Sequence, residues 1–305
     1  MGRMQPIWLP PSVGIGVRFD DRVTSVVKNF APQAKIVHFD IDPAEVNKNV
    51  RADLRVVGDL RWSLPLLNEK TTRRSAAEWR EGIAAWNECV QMWKREKPLT
   101  YAQTSGKIMP QTVIEKVSQL TQENTVIVTD VGQHQMWVAQ YYNFVRERSY
   151  ITSGGLGTMG YGLPAAIGAQ MSLPDKNVVL FTGDGSIMMN CQELATVADN
   201  NLPLKIFVMN NEVLGMVHQW QRMFYGQRYS HSSIKGKTDF VKLAEAMGVP
   251  GLRVTQPDKL DAVLEKALNM SGPVLVDILL PPTEDVLPMV PPGGRLDQML
   301  LGGMS

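Results

Sequence analysis

Apolar residues along most of this chain fall in short blocks closed by polar, glycine- or proline-bearing turns. Val178-Val179-Leu180-Phe181 and Leu204-Lys205-Ile206-Phe207-Val208-Met209 are two such blocks. Runs of this length, rich in β-branched residues, predict buried parallel strands. Met188 to Asn200, between them, predicts a helix, so the unit reads β-α-β. From Pro110 the same alternation extends over the rest of the chain. Gln111 to Leu120, His134 to Tyr142 and Leu163 to Met171 predict helices, as do Leu214 to Phe224, Asp239 to Met247 and Pro257 to Leu268. Thr125 to Thr129, Tyr150 to Thr152 and Val274 to Leu279 predict strands. Strands alternating with helices imply a parallel sheet covered on both faces. Before it, Val13 to Val17, Lys35 to Asp40 and Arg55 to Val57 predict strands, with a helix over Val23 to Phe30. That is a piece of a second doubly wound sheet, too small to be a whole one. Ser75-Ala76-Ala77-Glu78 has the spacing of a capping box. Trp79, Ile83, Trp86, Val90 and Trp93 then step by four and three along one helix face. This stripe reads as packing against the sheets or a partner subunit.

At 305 residues the chain is long enough for about two domains. Its 44% hydrophobic and 20% charged residues are those of a globular protein. A net charge of +1 gives no electrostatic argument for nucleic acid or an anionic membrane. No apolar run approaches the roughly 18–20 residues that span a bilayer. Cys89 and Cys191 fall in predicted helices and read as core thiols, which suits a reducing compartment. The start shows no signal-peptide pattern, so a cytoplasmic location is expected.

Three strand ends in the second half carry candidate chemistry. Thr182-Gly183-Asp184-Gly185-Ser186 follows one strand, and Asn210-Asn211-Glu212-Val213 follows the next. Adjacent parallel strands would set Asp184 beside Asn211, where open α/β sheets bind ligands. A carboxylate, a carboxamide and a main-chain carbonyl suit Mg²⁺ shared with phosphate oxygens. Alone, Asp184-Gly185 is a turn and Asn210-Asn211 a helix cap. Ser153 to Gly162 is a glycine-rich loop in which Gly155, Gly157 and Gly160 satisfy G-x-G-x-x-G. With Asp184 as a ribose acceptor, this makes a nicotinamide- or flavin-dependent oxidoreductase a rival reading. Val131-Gly132-Gln133-His134 offers an amide and an imidazole at the third strand end; His134 reads as a helix cap or as a donor to phosphate. In the first sheet, Gly16 to Arg22 and Asp40-Ile41-Asp42 lie at strand ends. They suit either a dinucleotide or a solvated turn with local ion pairs. His38, His218 and His231 have no metal-ligand spacing.

The Gly-Asp-Gly and Asn-Asn pair resembles the metal and diphosphate motif of thiamine-diphosphate enzymes. Further blocks resemble the catalytic subunit of the acetolactate synthase (acetohydroxyacid synthase) family, carboxyl-terminal portion, from about Gly14 to about Leu296. They are Gly-Val-Arg-Phe-Asp-Asp-Arg at 16–22, Gly-Gln-His-Gln-Met-Trp at 132–137 and Ser-Gly-Gly-Leu-Gly-Thr-Met-Gly-Tyr-Gly at 153–162. Met-Val-His-Gln-Trp-Gln at 216–221, Arg-Tyr-Ser-His at 228–231 and Leu-Pro-Met-Val-Pro-Pro-Gly at 287–293 complete the set. The resemblance implies an α/β fold in which a partial Rossmann-like, flavin-type domain precedes a doubly wound diphosphate-binding domain. The divisions expected are an unmatched start at 1–12, the partial domain at 13–65 and a connecting helix and linker at 66–109. The cofactor domain at 110–280 and a tail at 281–305 follow.

By that resemblance, two pyruvates, or pyruvate and 2-oxobutanoate, are joined with loss of CO₂ in branched-chain amino-acid synthesis. Asp184, Asn211 and the carbonyl of Val213 would hold Mg²⁺. Gln133, His134, Gly157, Gly185, Ser186, Gly215 and Met216 would surround thiamine diphosphate, with Met159 against the bend between its rings. Trp220 would shape the pocket of the second oxo-acid. Gly16, Val17, Arg18, Phe19, Asp20, Asp40, Ile41, Asp59 and Leu60 match flavin-binding blocks and imply FAD. Family partners are further copies, as dimers or tetramers, and a regulatory small subunit. Family members begin with a further domain that supplies an activating glutamate. No stretch of this sequence matches it, so no catalytic residue is assigned. The expectation is one half of a split enzyme completed in trans, or a cofactor-binding fragment without turnover.

Overall fold

The computed structural model describes residues 12–72, 75–121 and 124–301; the side chains of Ala76 and Trp79 lie outside that description. The chain divides into two compact units, Met1–Thr100 with Leu287–Ser305, and Tyr101–Val286.

The first unit is a three-stranded parallel sheet in the order β1-β2-β3, formed by Ser12–Ile15 (β1), Ile36–Asp40 (β2) and Leu54–Val57 (β3). Between β1 and β2 the predicted helix over 23–30 is broken into α1 (Asp21–Thr24) and a 3-10 turn at Val27–Asn29. Ser25, at φ 52°, separates them. Val23, Val26 and Val27 are weak helix formers, so the break costs little. After β3, α2 (Leu60–Thr71) starts at an Asp59 cap that accepts from the Arg61 N–H, and α3 spans Ala76–Glu96. Helix α2 runs through position 65, where composition suggested a domain edge, and α3 clusters with this unit. The Ser75–Glu78 capping box forms, with both reciprocal hydrogen bonds. Along α3, Trp86 meets Trp93 edge-on at 5.6 Å, so the described part of the stripe packs partly on itself. The core here is small: Phe19, Ile36, Val50 and Ala52. Val13, Ile15, Leu54 and Val57 stay substantially exposed on the strands. The tail is split: residues 281–286 belong to the second unit and 287 onward to the first, where Ser25 donates to the Gly294 carbonyl.

The second unit is doubly wound. Helix α4 (Pro110–Leu120) leads into β4 (Thr125–Thr129), α5 (Gln133–Tyr141), β5 (Tyr150–Thr152), α6 (Gly162–Ser172) and β6 (Asn177–Gly183). Then come α7 (Asp184–Ile187), α8 (Glu193–Asp199), β7 (Lys205–Asn210), α9 (Gly215–Phe224) and α10 (Phe240–Ala246). Strand β8 (Gly251–Val254), α11 (Leu260–Asn269) and β9 (Val274–Leu279) complete it. All six strands are parallel, in the order β5-β4-β6-β7-β9-β8. Successive residues of β6 and β7 point to opposite faces, and both faces are buried. Val179, Phe181 and Phe207 enter a core with Val113 and Ile114 of α4 and Trp137 of α5. Leu180, Ile206 and Val208 enter a second core with Leu163 of α6, Leu194 of α8 and Phe240 of α10. This two-sided burial is why these strands read as continuous apolar runs.

Two elements differ from the sequence reading. The helix expected over 188–200 is interrupted, and residues 188–192 form turns between α7 and α8. Asn190 sits in that gap and donates its Nδ2 to the Gly160 carbonyl at 2.6 Å. Asn side chains favour such local breaks over a helix interior. Cys191 therefore lies in a turn, and both cysteines are half-buried rather than core. Edge strand β8 gave no apolar run because it has only four residues, opens on Gly251 and carries Arg253, which pairs with Asp239 and Asp277. Among the described residues no helix is long and apolar enough to cross a membrane.

Leu180 is fully buried between two neighbouring strands. Leu180→Ala should cost about 2–5 kcal/mol, whereas Leu66→Ala on the exposed face of α2 should stay within about 0.5 kcal/mol. Urea unfolding of the two variants measures the contrast.

Candidate functional site

Strand β4 lies between β5 and β6, and the chain leaves it towards β5 but leaves β6 towards β7. Connections that depart in opposite directions open a crevice beyond the carboxyl ends of β4 and β6. The main pocket lies there. It is lined by Val131 to His134 after β4, Gly183 to Ser186 after β6, and Met209, Asn211 and Val213 to Val217 after β7. Met159 of the glycine-rich loop and Trp137 close it. The three strand ends singled out in the sequence thus converge on one cavity.

Strands β6 and β7 are hydrogen-bonded neighbours, with Gly183 opposite Met209, so their exits lie side by side. Asp184 is buried at the start of α7. Its Oδ1 accepts from the Gly185 N–H at 2.9 Å and its Oδ2 from the Glu212 N–H at 2.7 Å. Glu212 has φ 59°, a left-handed conformation uncommon outside glycine that tends to mark functional turns. This turn carries Asn211 and Val213 on either side of it. Burial, reinforced by the charge of Asp277, pushes the Asp184 carboxyl up to about 7. A cation against it would remove that penalty. The oxygens of Asp184, Asn211 and the Val213 main chain are hard donors. Among the described residues no group of three His, Cys, Asp or Glu could enclose a metal. An ion held here would therefore share its coordination with an oxygen-rich ligand.

His134 is buried in the first turn of α5, its ring wedged between two glycines. A Cβ added at Gly132 or Gly183 would stand 3.0 and 3.1 Å from the ring. Burial pushes its pKa down to about 4, although the Asp130 carbonyl accepts from it. The ring is therefore neutral near pH 7, and its Nε2 is buried without a partner. An orphaned nitrogen in a pocket wall is satisfied when a ligand enters. An anionic ligand would also favour the imidazolium, which donates from both nitrogens.

Ser186 donates its hydroxyl to the Val131 carbonyl at 2.9 Å, tying the ends of β4 and β6 together. A side chain at Gly185 would strike Leu214 at 2.8 Å, so glycine keeps that wall open. Gln133 is less available to a ligand than its sequence position suggested. Its Nε2 donates to Gln219 Oε1 (2.8 Å) and the Glu284 carbonyl (3.0 Å), and its Oε1 accepts from Asn211 Nδ2 (3.1 Å). A Cβ at Gly215 would fall 2.0 Å from that Oε1, so the first residue of α9 must be glycine. Met216 lines the pocket, whereas Trp220 and Gly157 do not. Trp220 lies edge-on to Phe224 at 5.6 Å, and Gly157 takes the positive φ of 65° that the loop needs.

Asp130 was not singled out in the sequence. Buried at the end of β4, its Oδ1 accepts from the N–H groups of Val131 (2.7 Å) and Gly160 (2.9 Å), and its Oδ2 from that of Gly162 (3.0 Å). The glycine-rich loop thus turns two N–H groups towards a protein carboxylate. That leaves no dinucleotide-phosphate cradle, and the oxidoreductase reading loses its main support. With Asn190 on the Gly160 carbonyl, the peptide after Met159 is held at both polar ends. The one sequence signal was an acid closing an apolar strand, which spacing alone cannot tell from a solvated turn.

In the first unit, Gly16, Asp40 and Asp59 follow three adjacent parallel strands or close them. Phe19 is a core residue, packed on Phe30 and His38, and not a flavin contact. Asp59 pairs with Arg61 and caps α2, which starts at Leu60. Arg18 pairs with Asp20 at 2.8 Å, and Asp40 accepts from the Asp42 N–H. Ile41 is exposed and Val17 half-buried. These local bonds occupy the acids assigned to FAD and match the alternative reading of solvated turns.

Comparison with known proteins agrees with the second-unit site. Residues 130–278 match the family described as thiamine pyrophosphate enzyme, C-terminal TPP binding domain. Residues 12–67 match thiamine pyrophosphate enzyme, central domain. The chain is 46% identical over 289 residues to the acetolactate synthase large subunit of Parasynechococcus marenigrum (strain WH8102), which covers 94% of the chain and 46% of that protein. It is 44% identical to acetolactate synthase isozyme 3 large subunit of Escherichia coli (strain K12), over 94% of the chain and 50% of the relative. For acetolactate synthase 1, chloroplastic, of Zea mays the values are 43%, 95% and 47%. The chain spans about half the length of these relatives. It belongs to the thiamine pyrophosphate enzymes, carries their central and C-terminal cofactor-binding domains, and is similar over nearly its whole length to acetolactate synthase large subunits.

Proposed function

We propose that this chain forms the cofactor-binding half of an acetolactate synthase. The reaction joins two pyruvates into 2-acetolactate, or pyruvate and 2-oxobutanoate into 2-aceto-2-hydroxybutanoate, with loss of CO₂. The observation that carries the reading is the 2.7 Å bond from the Glu212 N–H to Asp184 Oδ2. It brings a buried carboxylate, Asn211 and Val213 to one pocket wall. Asp184, Asn211 and the Val213 carbonyl would hold Mg²⁺, and Mg²⁺ in turn the diphosphate. Gly185, Ser186 and His134 line the same wall; His134 supplies a ring nitrogen to a phosphate oxygen. When bound, thiamine diphosphate supplies the nucleophilic carbon that adds to one oxo-acid, keeps the electron pair as CO₂ leaves and passes it to a second.

The remaining steps belong to the protein. Asp130 and Asn190 fix the loop that carries Met159, whose thioether packs against the cofactor rings. Met216 and Val217, at the start of α9, border the pocket and shield the reacting end from water. FAD enters no step, because the acids that would hold it are engaged locally. Turnover is proposed for an assembly that also contains the portion of the relatives this chain does not match.

Asp184→Ala should abolish Mg²⁺-dependent binding of thiamine diphosphate, read by calorimetry; undiminished affinity would remove the metal assignment. Asp130→Asn turns one acceptor into an NH₂ group facing the Gly160 or Gly162 N–H. It should weaken thiamine diphosphate binding by about 1–3 kcal/mol and leave binding of inorganic pyrophosphate unchanged, because the loop grips the rings and not the diphosphate. The overall reading is tested by mixing the chain with the amino-terminal half of a relative. Acetolactate should form from pyruvate, and Asp184→Ala should stop it.

A further inference from the structure

Three buried amides run in series from a backbone peptide to the pocket, and each fixes which way round the next one faces. The Val286 peptide is the fixed end. Its N–H donates to Gln219 Oε1 at 2.9 Å and its carbonyl accepts from Gln219 Nε2 at 3.1 Å. A peptide group cannot exchange its N–H and C=O, so the Gln219 amide has one orientation. Its Oε1 then also accepts from Gln133 Nε2, and the Glu284 carbonyl accepts from the same nitrogen. Gln133 must therefore turn Oε1 towards Asn211, and Asn211 must answer with Nδ2. The Asn211 oxygen is left on the side of the turn, where the Val213 N–H reaches it at 3.3 Å. All three side chains are buried, so no water can substitute freely for a missing link.

We infer that Gln219 is a positioning residue: it acts through Gln133 to present the oxygen, and not the nitrogen, of Asn211 to the metal. Gln219 is not among the residues lining the pocket. The inference rests on the reading of Asp184, Asn211 and Val213 as the Mg²⁺ site. An asparagine reversed about its amide would offer that cation an NH₂ group, which is no ligand for it. A carboxylate at 211 would offer oxygen in either orientation and would not need the relay.

The test is a double-mutant cycle on the full chain, reading the Mg²⁺ dependence of thiamine diphosphate binding by calorimetry, with thermal melts as a check on folding. Gln219→Met should weaken the apparent Mg²⁺ affinity by about 10–100-fold, the usual effect of removing an outer-sphere partner. In the Asn211→Asp chain the same substitution should cause no further loss. An unchanged affinity in Gln219→Met, or an equal loss in both backgrounds, overturns the inference while leaving the metal site standing. If the parent chain shows no Mg²⁺-dependent binding, the site assignment falls and the relay falls with it. Should Gln219→Met not fold, Gln133→Met removes the middle link, leaves Val286 paired, and is expected to follow the same pattern across the two backgrounds.

Discussion

One hydrogen bond, from the main chain of Glu212 to the carboxylate of Asp184, joins the ends of two neighbouring strands, and the pocket depends on it. It can form because β6 and β7 are adjacent and in a register that pairs Gly183 with Met209. That register follows in turn from two apolar runs whose every residue finds a buried face. The turn that delivers the N–H is strained at Glu212, and the carboxylate that receives it is buried enough to resist ionising. Both costs fall on the same few residues, and the packed sheet beneath them over-determines the arrangement.

Around that bond the site is organised by polar groups that no ligand touches. Asp130 closes β4 and holds two N–H groups of the glycine-rich loop. Asn190 holds the carbonyl between them. Gln219 and Gln133 hold Asn211. In each case a group on one strand end or helix is fixed by a residue distant in sequence. The geometry therefore belongs to the folded sheet and not to any single loop.

Much of this was legible in the sequence. Strands buried on both faces announce themselves as runs, and the pairing of Asp184 with Asn211 across a β-α-β unit followed from spacing. What was not legible had physical reasons. The loop at 153–162 satisfies a dinucleotide pattern, but a pattern of glycines does not say where their N–H groups point, and Asp130 takes two of them. Gln133 looked like a ligand because of its place after β4; its amide is committed to Asn211, Gln219 and Glu284. The break at 188–192 is set by a long-range bond from Asn190 to Gly160, which periodicity cannot register. Phe19 sits in a block that resembles a flavin contact, yet burial against Phe30 and His38 decides its direction.

The glycine at 215 limits how this pocket can be redesigned. Because a Cβ there would overlap the Gln133 amide, no alanine scan across the wall can treat that position as neutral ground. Gly183 is similarly closed, since the His134 ring lies against it. Diversity introduced to alter what the cavity accepts has room at Met216 and Val217, which border it without carrying the amide series. A library built on those positions changes the shape of the cavity. One that includes 183 or 215 would mostly sample collapsed versions of the same scaffold.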